Sequence, residues 1–162
     1  MSDSTPEMAG AARLRRLPTR LLSLAATYSD RRVNEALGRA DARKWHYAVL
    51  ATLDEFGPVS QAELSNRTSI YRSDLVAVIN ELTEQGLVER SADPADRRRN
   101  LITLTGQGHR QLLRLGELLA DIENEVLAPL SPAQRDQLTH LLTAVLHHRT
   151  QKSWPKDSDP AG

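Results

Sequence analysis

The part of the sequence that decides the fold is residues 60–105, which read SQAELSNRTSIYRSDLVAVINELTEQGLVERSADPADRRRNLITLT. Its first four residues, Ser-Gln-Ala-Glu at 60–63, have the pattern of a capping box. In that motif the serine and glutamate side chains each bind the other residue's backbone N–H. The pattern predicts a short helix over 60–66.

A second, longer helix follows. Ser69 or Thr68 is its expected N-cap, and Gly86 is expected to end it just after Gln85. The spacing of its apolar residues predicts one buried face, formed by Leu75, Val78, Ile79 and Leu82.

After Gly86 the pattern changes to that of a β-hairpin. Residues 87–90 and 101–104 are rich in apolar and β-branched side chains, and the polar stretch 93–100 separates them. Two capped helices followed by such a hairpin predict a winged helix-turn-helix, whose second helix enters the major groove of DNA.

The exposed face of the second helix supplies candidate DNA contacts. Arg72 is suited to guanine or phosphate, and Asn80 to adenine. Asp74 could accept from a cytosine amine or stabilise the helix N-terminus, and the second role is favoured. The face comprises Arg72, Ser73, Val76, Ala77 and Asn80.

The hairpin tip carries the densest basic cluster in the chain, Arg97, Arg98 and Arg99. An arginine held there could enter a narrow minor groove, and Asp96 could orient one guanidinium by a bidentate pair. A solvated charged turn is the alternative, and the upstream helix-turn-helix favours DNA contact.

Leucine-rich helices flank this region. We expect mobile tails over 1–12 and 151–162, a DNA-binding region over 39–105, and dimerisation helices over 13–38 and 106–150. Pro18 is expected in the first turn of its helix. Thr105 is expected to cap the start of one later helix, and a capping box at 131–134 is expected at the start of another. The apolar stripes exceed what one winged-helix core can bury, which predicts a homodimer.

Composition excludes several classes of function. There is no cysteine and the net charge is +0, so disulfides, thiolate catalysis and bulk polyanion binding are excluded. No catalytic motif, membrane-spanning run or secretory signal is found, which indicates a cytoplasmic protein that is not an enzyme. No cofactor is expected. A helical dimerisation protein without DNA reading remains the alternative.

The hairpin also resembles a family signature. Gly86-Leu87-Val88-Glu89-Arg90, Asp96-Arg97-Arg98 and Leu104-Thr105 with Gly108 are similar to the G-L-V-x-R, D-x-R and L-T-x-x-G elements of the MarR family of bacterial transcription regulators. Tyr47–Leu50 and Gln61–Leu64 match further family positions.

The resemblance implies a homodimeric winged-helix repressor or activator that binds a pseudo-palindromic operator. It implies that Arg98 is the minor-groove residue and places Gln61 among the DNA-contacting positions. The sequence departs from the usual pattern at Asp74, where Ser or Thr is common, and at Ala77, where a basic residue is common.

Family members often bind small aromatic anions that release DNA. The aromatic and titratable residues that could hold such an effector are Tyr28, Arg31, Arg32, Trp45, His46 and Tyr47. For Trp45 and Tyr47 a core role is favoured, and for Arg31 and Arg32 a solvated or interfacial one. Asp136, His140 and His147 share one helix face, but the sequence offers them no partner cluster, so no metal site is predicted.

Overall fold

The computed structural model describes residues 11–152, in which seven helices and three short strands are found. The mainly helical fold with a small β-hairpin confirms the fold class predicted from the sequence. The elements are α1 (Ala12–Arg15), α2 (Pro18–Gly38), α3 (Lys44–Phe56), β1 (Val59–Ser60), α4 (Gln61–Thr68), α5 (Arg72–Glu84), β2 (Val88–Ala92), β3 (Asn100–Leu104), α6 (Gly106–Val126) and α7 (Pro132–Lys152).

The first predicted helix is divided in two. Arg16 and Leu17 separate α1 from α2, and Pro18 occupies the first turn of α2 as expected. Proline is favoured there because its missing N–H would have no partner within the helix.

The turn between α4 and α5 differs from the prediction. Ser69 does not cap α5: it ends α4 in the left-handed conformation, with φ of 56°. The Ser65 hydroxyl donates to the Ile70 carbonyl at 2.6 Å, and the Ile70 side chain is buried. The turn therefore brings Ile70 into the core, and α5 begins only at Arg72, with Tyr71 as its N-cap.

The hairpin gains a third strand that the sequence did not predict. β3 lies between β1 and β2, and both pairings are antiparallel. Val59 faces Ile102 across the first pairing. The wing, which consists of β2, β3 and the tip between them, is therefore attached to the start of α4 through β1.

The helix-turn-helix and the wing share one hydrophobic core. Its fully buried side chains come from α2, α3, α4, α5, β2, β3 and α6, and they include Leu37, Leu50, Leu64, Leu75, Ile79, Leu82, Val88, Ile102 and Leu115. Because α5 contributes four of its residues, the direction of its opposite face is fixed by packing.

The chain divides into two compact units, of which the first ends at Ile122 and the second begins at Glu123. In the second unit, the predicted capping box is confirmed: the Gln134 N–H donates to the Ser131 hydroxyl at 3.3 Å, and the Ser131 N–H donates to the Gln134 side chain at 2.9 Å. The predicted tails fall mostly outside the described residues, although Ala12 begins α1 and α7 continues to Lys152.

Candidate nucleic-acid interface

One face of α5 is buried and the other is open. Leu75, Val78, Ile79 and Leu82 are all 0% exposed. The residues predicted to contact DNA lie on the opposite face, where Arg72, Ser73, Val76, Ala77 and Asn80 are exposed. The helix therefore presents one continuous surface that its packing leaves free.

The start of α5 adds a residue that sequence reasoning missed. Tyr71, the N-cap, is 80% exposed. Asp74 is half-buried in the first turn, where a carboxylate stabilises the helix dipole. Gln61 is half-buried at the first position of α4. The signal that could have identified Tyr71 was its position, as an aromatic residue directly before Arg72.

The hairpin tip exposes its three arginines. Arg97, Arg98 and Arg99 lie between the last strand pair, Ala92 with Asn100, and are all exposed. The Asp96 carboxylate does not form the predicted pair with a guanidinium. It accepts instead from the backbone N–H of Arg98, at 3.1 Å. The tip backbone is thereby fixed, and the arginine side chains remain available.

The base of the wing is joined to α6 by the two motifs that resemble the family signature. The Thr105 hydroxyl donates to the Gly86 carbonyl at 2.7 Å and accepts from the Gly108 N–H at 2.9 Å, which confirms Thr105 as the cap of α6. Gly86 has φ of 71° and ends α5, as predicted. A Cβ added at Gly108 would lie 2.0 Å from the Leu87 carbonyl oxygen. The motif residues therefore set how closely α6 approaches the hairpin.

A second contact ties the wing to α5. The Arg90 guanidinium, on β2, donates to the Asn80 side-chain oxygen at 2.6 Å. The sequence offered no sign of this pairing, because the two residues lie on different elements.

Helix α5 is also linked to α3. His46 is 4% exposed; its Nδ1 accepts from the Arg43 N–H at 3.2 Å, and its Nε2 lies 2.7 Å from a Glu81 carboxylate oxygen. Arg43 also donates to Glu81. The hydrogen bond from His46, and then the Arg43 guanidinium, hold the pKa of Glu81 below its ordinary value. Both nitrogens of His46 are therefore used within the protein.

The structure does not bring the six predicted ligand residues into one cluster. Arg31 and Arg32 donate to the Glu35 carboxylate at 3.0 and 2.7 Å. The hydrogen bond from Arg31, and then that from Arg32, lowers the pKa of Glu35. Tyr28 is 51% exposed on α2.

Trp45 and Tyr47 line two different clefts. Trp45 borders a cleft of about 440 Å³ with Arg43, Lys44 and residues at the end of α2. Tyr47 borders one of about 720 Å³ between α3 and α6, which also contains Asp54, Glu55 and Glu117. The first cleft carries cationic side chains, and the second carries carboxylates.

Within residues 11–152, no group of three or more His, Asp or Glu side chains is placed to hold a metal ion. Over the same range, no helix has the length and apolar character needed to cross a bilayer.

Known proteins are similar to this chain in sequence and in fold. The family model described as MarR family matches residues 41–99. The putative transcriptional regulatory protein for the hcr operon of Thauera aromatica is 33% identical over 59% of this chain and 58% of that protein. The chain spans less than two thirds of the first curated relatives' own length, 58% of one and 63% of another.

Solved structures match over a longer range. The transcriptional repressor CouR, bound to a 23-mer DNA duplex, has a TM-score of 0.77 and 26% identity over 83% of this chain and 96% of that one. BpsR of Bordetella bronchiseptica, whose DNA binding is regulated by 6-hydroxynicotinic acid, has a TM-score of 0.74 and 25% identity over 84% and 97%. These relatives are regulators rather than enzymes. The family model, the fold and the wing motifs agree that the chain is similar to the MarR family of winged helix-turn-helix transcription regulators.

Proposed function

We propose that this protein is a transcriptional repressor that binds an operator in double-stranded DNA through α5 and the wing. The observation that carries the proposal is that the open face of α5 and the Arg97–Arg99 tip belong to one folded unit. Since the chain has no net charge, these local groups must supply the attraction to phosphate and bases. The similarity of the fold to that of CouR, a transcriptional repressor solved bound to a 23-mer DNA duplex, supports binding to double-stranded DNA.

Arg98→Ala is the variant that tests this function. It should weaken binding to the operator by about 1–3 kcal/mol, the usual effect of losing one groove contact, and leave thermal stability unchanged. Fluorescence anisotropy with DNA from upstream of the gene measures the affinity. Arg39→Ala, which removes an exposed arginine just after α2 and outside the proposed dimerisation helices, is the matched control. Equal affinities of Arg98→Ala and the wild type would show that the wing does not read DNA.

We also propose that the active form is a homodimer held by residues 13–38 and 106–150. In the first unit, Leu14, Leu17, Leu21 and Leu113 are exposed, and in the second unit so are Leu141, Val145 and Leu146. Large apolar side chains in these numbers call for a partner surface. A two-fold dimer then requires an inverted-repeat operator with half-sites about 10 bp apart, centre to centre.

The dimer has its own test. Inserting about 5 bp between the half-sites turns one of them to the opposite side of the duplex and should abolish tight binding. An insertion of about 10 bp is the control, because it keeps both half-sites on one face. Undiminished binding to the shorter insertion, or a folded 18.0 kDa monomer in sedimentation, would contradict the dimer.

The proposed effector is a small aromatic carboxylate or phenol. The regulation of BpsR by 6-hydroxynicotinic acid supports this class. Within this chain the cleft beside Trp45 fits it best, because Arg43 and Lys44 line it, and an anionic ligand there would compete with their ion pairs to Glu81 and Asp30. The anisotropy assay repeated with hydroxylated aromatic acids measures the release of DNA.

A further inference from the structure

The Asn80 side chain lies where α5 and the wing meet. Asn80 is exposed on the open face of α5, one helical turn beyond Val76. Arg90 stands opposite Ile102 in the hairpin, and Ile102 is 0% exposed. Side chains directly opposite each other share a face of the sheet, so Arg90 starts from the face that packs on the helices. From there its guanidinium reaches Asn80 at 2.6 Å.

This contact fixes the orientation of the Asn80 amide. A guanidinium has only N–H donors, so the amide atom that faces Arg90 must be the carbonyl oxygen. The hydrogen bond is charge-assisted, which makes it stronger than one between neutral groups. The NH₂ group of Asn80 is therefore directed away from Arg90.

The orientation decides which base the side chain can read. Asparagine binds adenine by offering its oxygen and its NH₂ group together, to N6–H and N7. Arg90 occupies one of the two lone pairs of the oxygen, so the pair presents DNA with more N–H donors than acceptors: the Asn80 NH₂ group and the rest of the guanidinium. Guanine is the base that presents two adjacent acceptors, N7 and O6, in the major groove.

We propose that Arg90 is a specificity-determining residue, which holds Asn80 as a donor so that this part of α5 reads guanine instead of adenine. The proposal rests on the DNA-binding function proposed above and adds the base preferred at one operator position. It differs from what the residue type of Asn80 predicts by itself.

The test compares base preferences, obtained by selecting binding sites from a random DNA library. Asn80→Ala identifies the operator position that Asn80 reads, because it should erase the base preference at that position alone. In the wild type the preferred base there should be guanine. Arg90→Met keeps an unbranched side chain but removes the donors. It should change the preference at that position from guanine to adenine by about tenfold, the scale of one bidentate base contact.

Two further variants serve as controls. Arg90→Lys retains a donor for the Asn80 oxygen and should retain guanine. Arg97→Ala removes an equal charge from the wing without touching Asn80, and should lower affinity with the guanine preference unchanged. Thermal unfolding of each variant shows that the fold is intact.

The outcomes separate this proposal from the one on which it rests. If the wild type selects no sequence, the DNA-reading function fails. If it selects a sequence in which the Asn80 position is not guanine, or if Arg90→Met keeps guanine there, the role of Arg90 is overturned. If Asn80→Ala and Arg90→Met weaken binding equally for every operator sequence, Asn80 and Arg90 bind phosphate, and the role of Arg90 in base specificity is overturned as well.

Discussion

Replacing Gly108 by alanine should separate α6 from the wing. The added Cβ would lie 2.0 Å from the Leu87 carbonyl oxygen and 2.7 Å from a methyl group of Leu104. Real Cβ contacts are essentially never shorter than 3.0 Å, so the carbonyl would have to move by at least 1.0 Å. That carbonyl accepts from the backbone N–H of Thr105 at 3.1 Å, and it shares the Thr105 hydroxyl proton with the Gly86 carbonyl, at 3.1 and 2.7 Å. The same displacement would therefore break the contacts between Leu87 and Thr105, the residue that caps α6.

The size of the effect follows from three contributions. Forcing a methyl group into filled space costs about 1–3 kcal/mol. Leaving a partly buried carbonyl without its donors costs about 1–3 kcal/mol more. Alanine recovers about 1 kcal/mol because it favours helix over glycine. The net loss is about 3 kcal/mol, which lowers the melting temperature of a chain this long by roughly 6–12 °C.

Thermal and urea unfolding followed by circular dichroism measure this loss. Gly116→Ala is the matched control on the same helix, since its Cβ would lie 3.8 Å from the Tyr47 hydroxyl, an ordinary contact. It should stabilise the protein by up to about 1 kcal/mol. The two glycine variants should thus shift stability in opposite directions. A Gly108→Ala protein as stable as Gly116→Ala would refute the reasoning.

Two further predictions concern α5. Leu75→Ala should destabilise the fold by about 2–5 kcal/mol, because it leaves a cavity in the core. Ser73→Ala, on the open face, should change stability by less than about 0.5 kcal/mol but alter DNA affinity. Equal stabilities of the two variants in urea unfolding would contradict the assigned faces. Glu81→Gln should cost about 0.5–1 kcal/mol near neutral pH, a value reduced for its partial exposure. Because the folded pKa of Glu81 lies below 4.5, its contribution is complete above that pH and is lost as the pH falls through the folded pKa. Unfolding measured on both sides of pH 4.5 should show the wild type and Glu81→Gln converging in acid, and a constant difference would exclude the ion pair.

Elements with strong local signals were predictable from the sequence. The buried face of α5 followed from apolar spacing alone, since only one face of a helix can carry that pattern. The cap at Thr105 and the capping box at 131–134 were predictable because their partners lie within three residues. Gly86 was predictable because a left-handed C-cap favours glycine.

Features that depend on contacts distant in sequence could not be predicted. β1 is two residues long, and it exists only because β3 offers an unpaired edge to Val59 and Ser60. Ser69 has the chemistry of an N-cap, but the need to bury Ile70 places it at the end of α4. In both cases tertiary packing decided between local alternatives that the sequence leaves open.

The candidate site shows the same limit more sharply. Trp45, His46 and Tyr47 are adjacent in sequence, but successive residues of a helix point about 100° apart, so neighbours on α3 face different surroundings. Trp45 faces a cleft with cationic side chains, His46 is committed to Glu81, and Tyr47 faces a cleft with carboxylates. A cluster along the chain therefore became three separate environments, of which only the one beside Trp45 combines an aromatic ring with cations. The converse holds for Asn80 and Arg90, which lie ten residues apart and are joined by a hydrogen bond. Under the role proposed for Arg90, the residue type at this helix position does not by itself determine which base it reads.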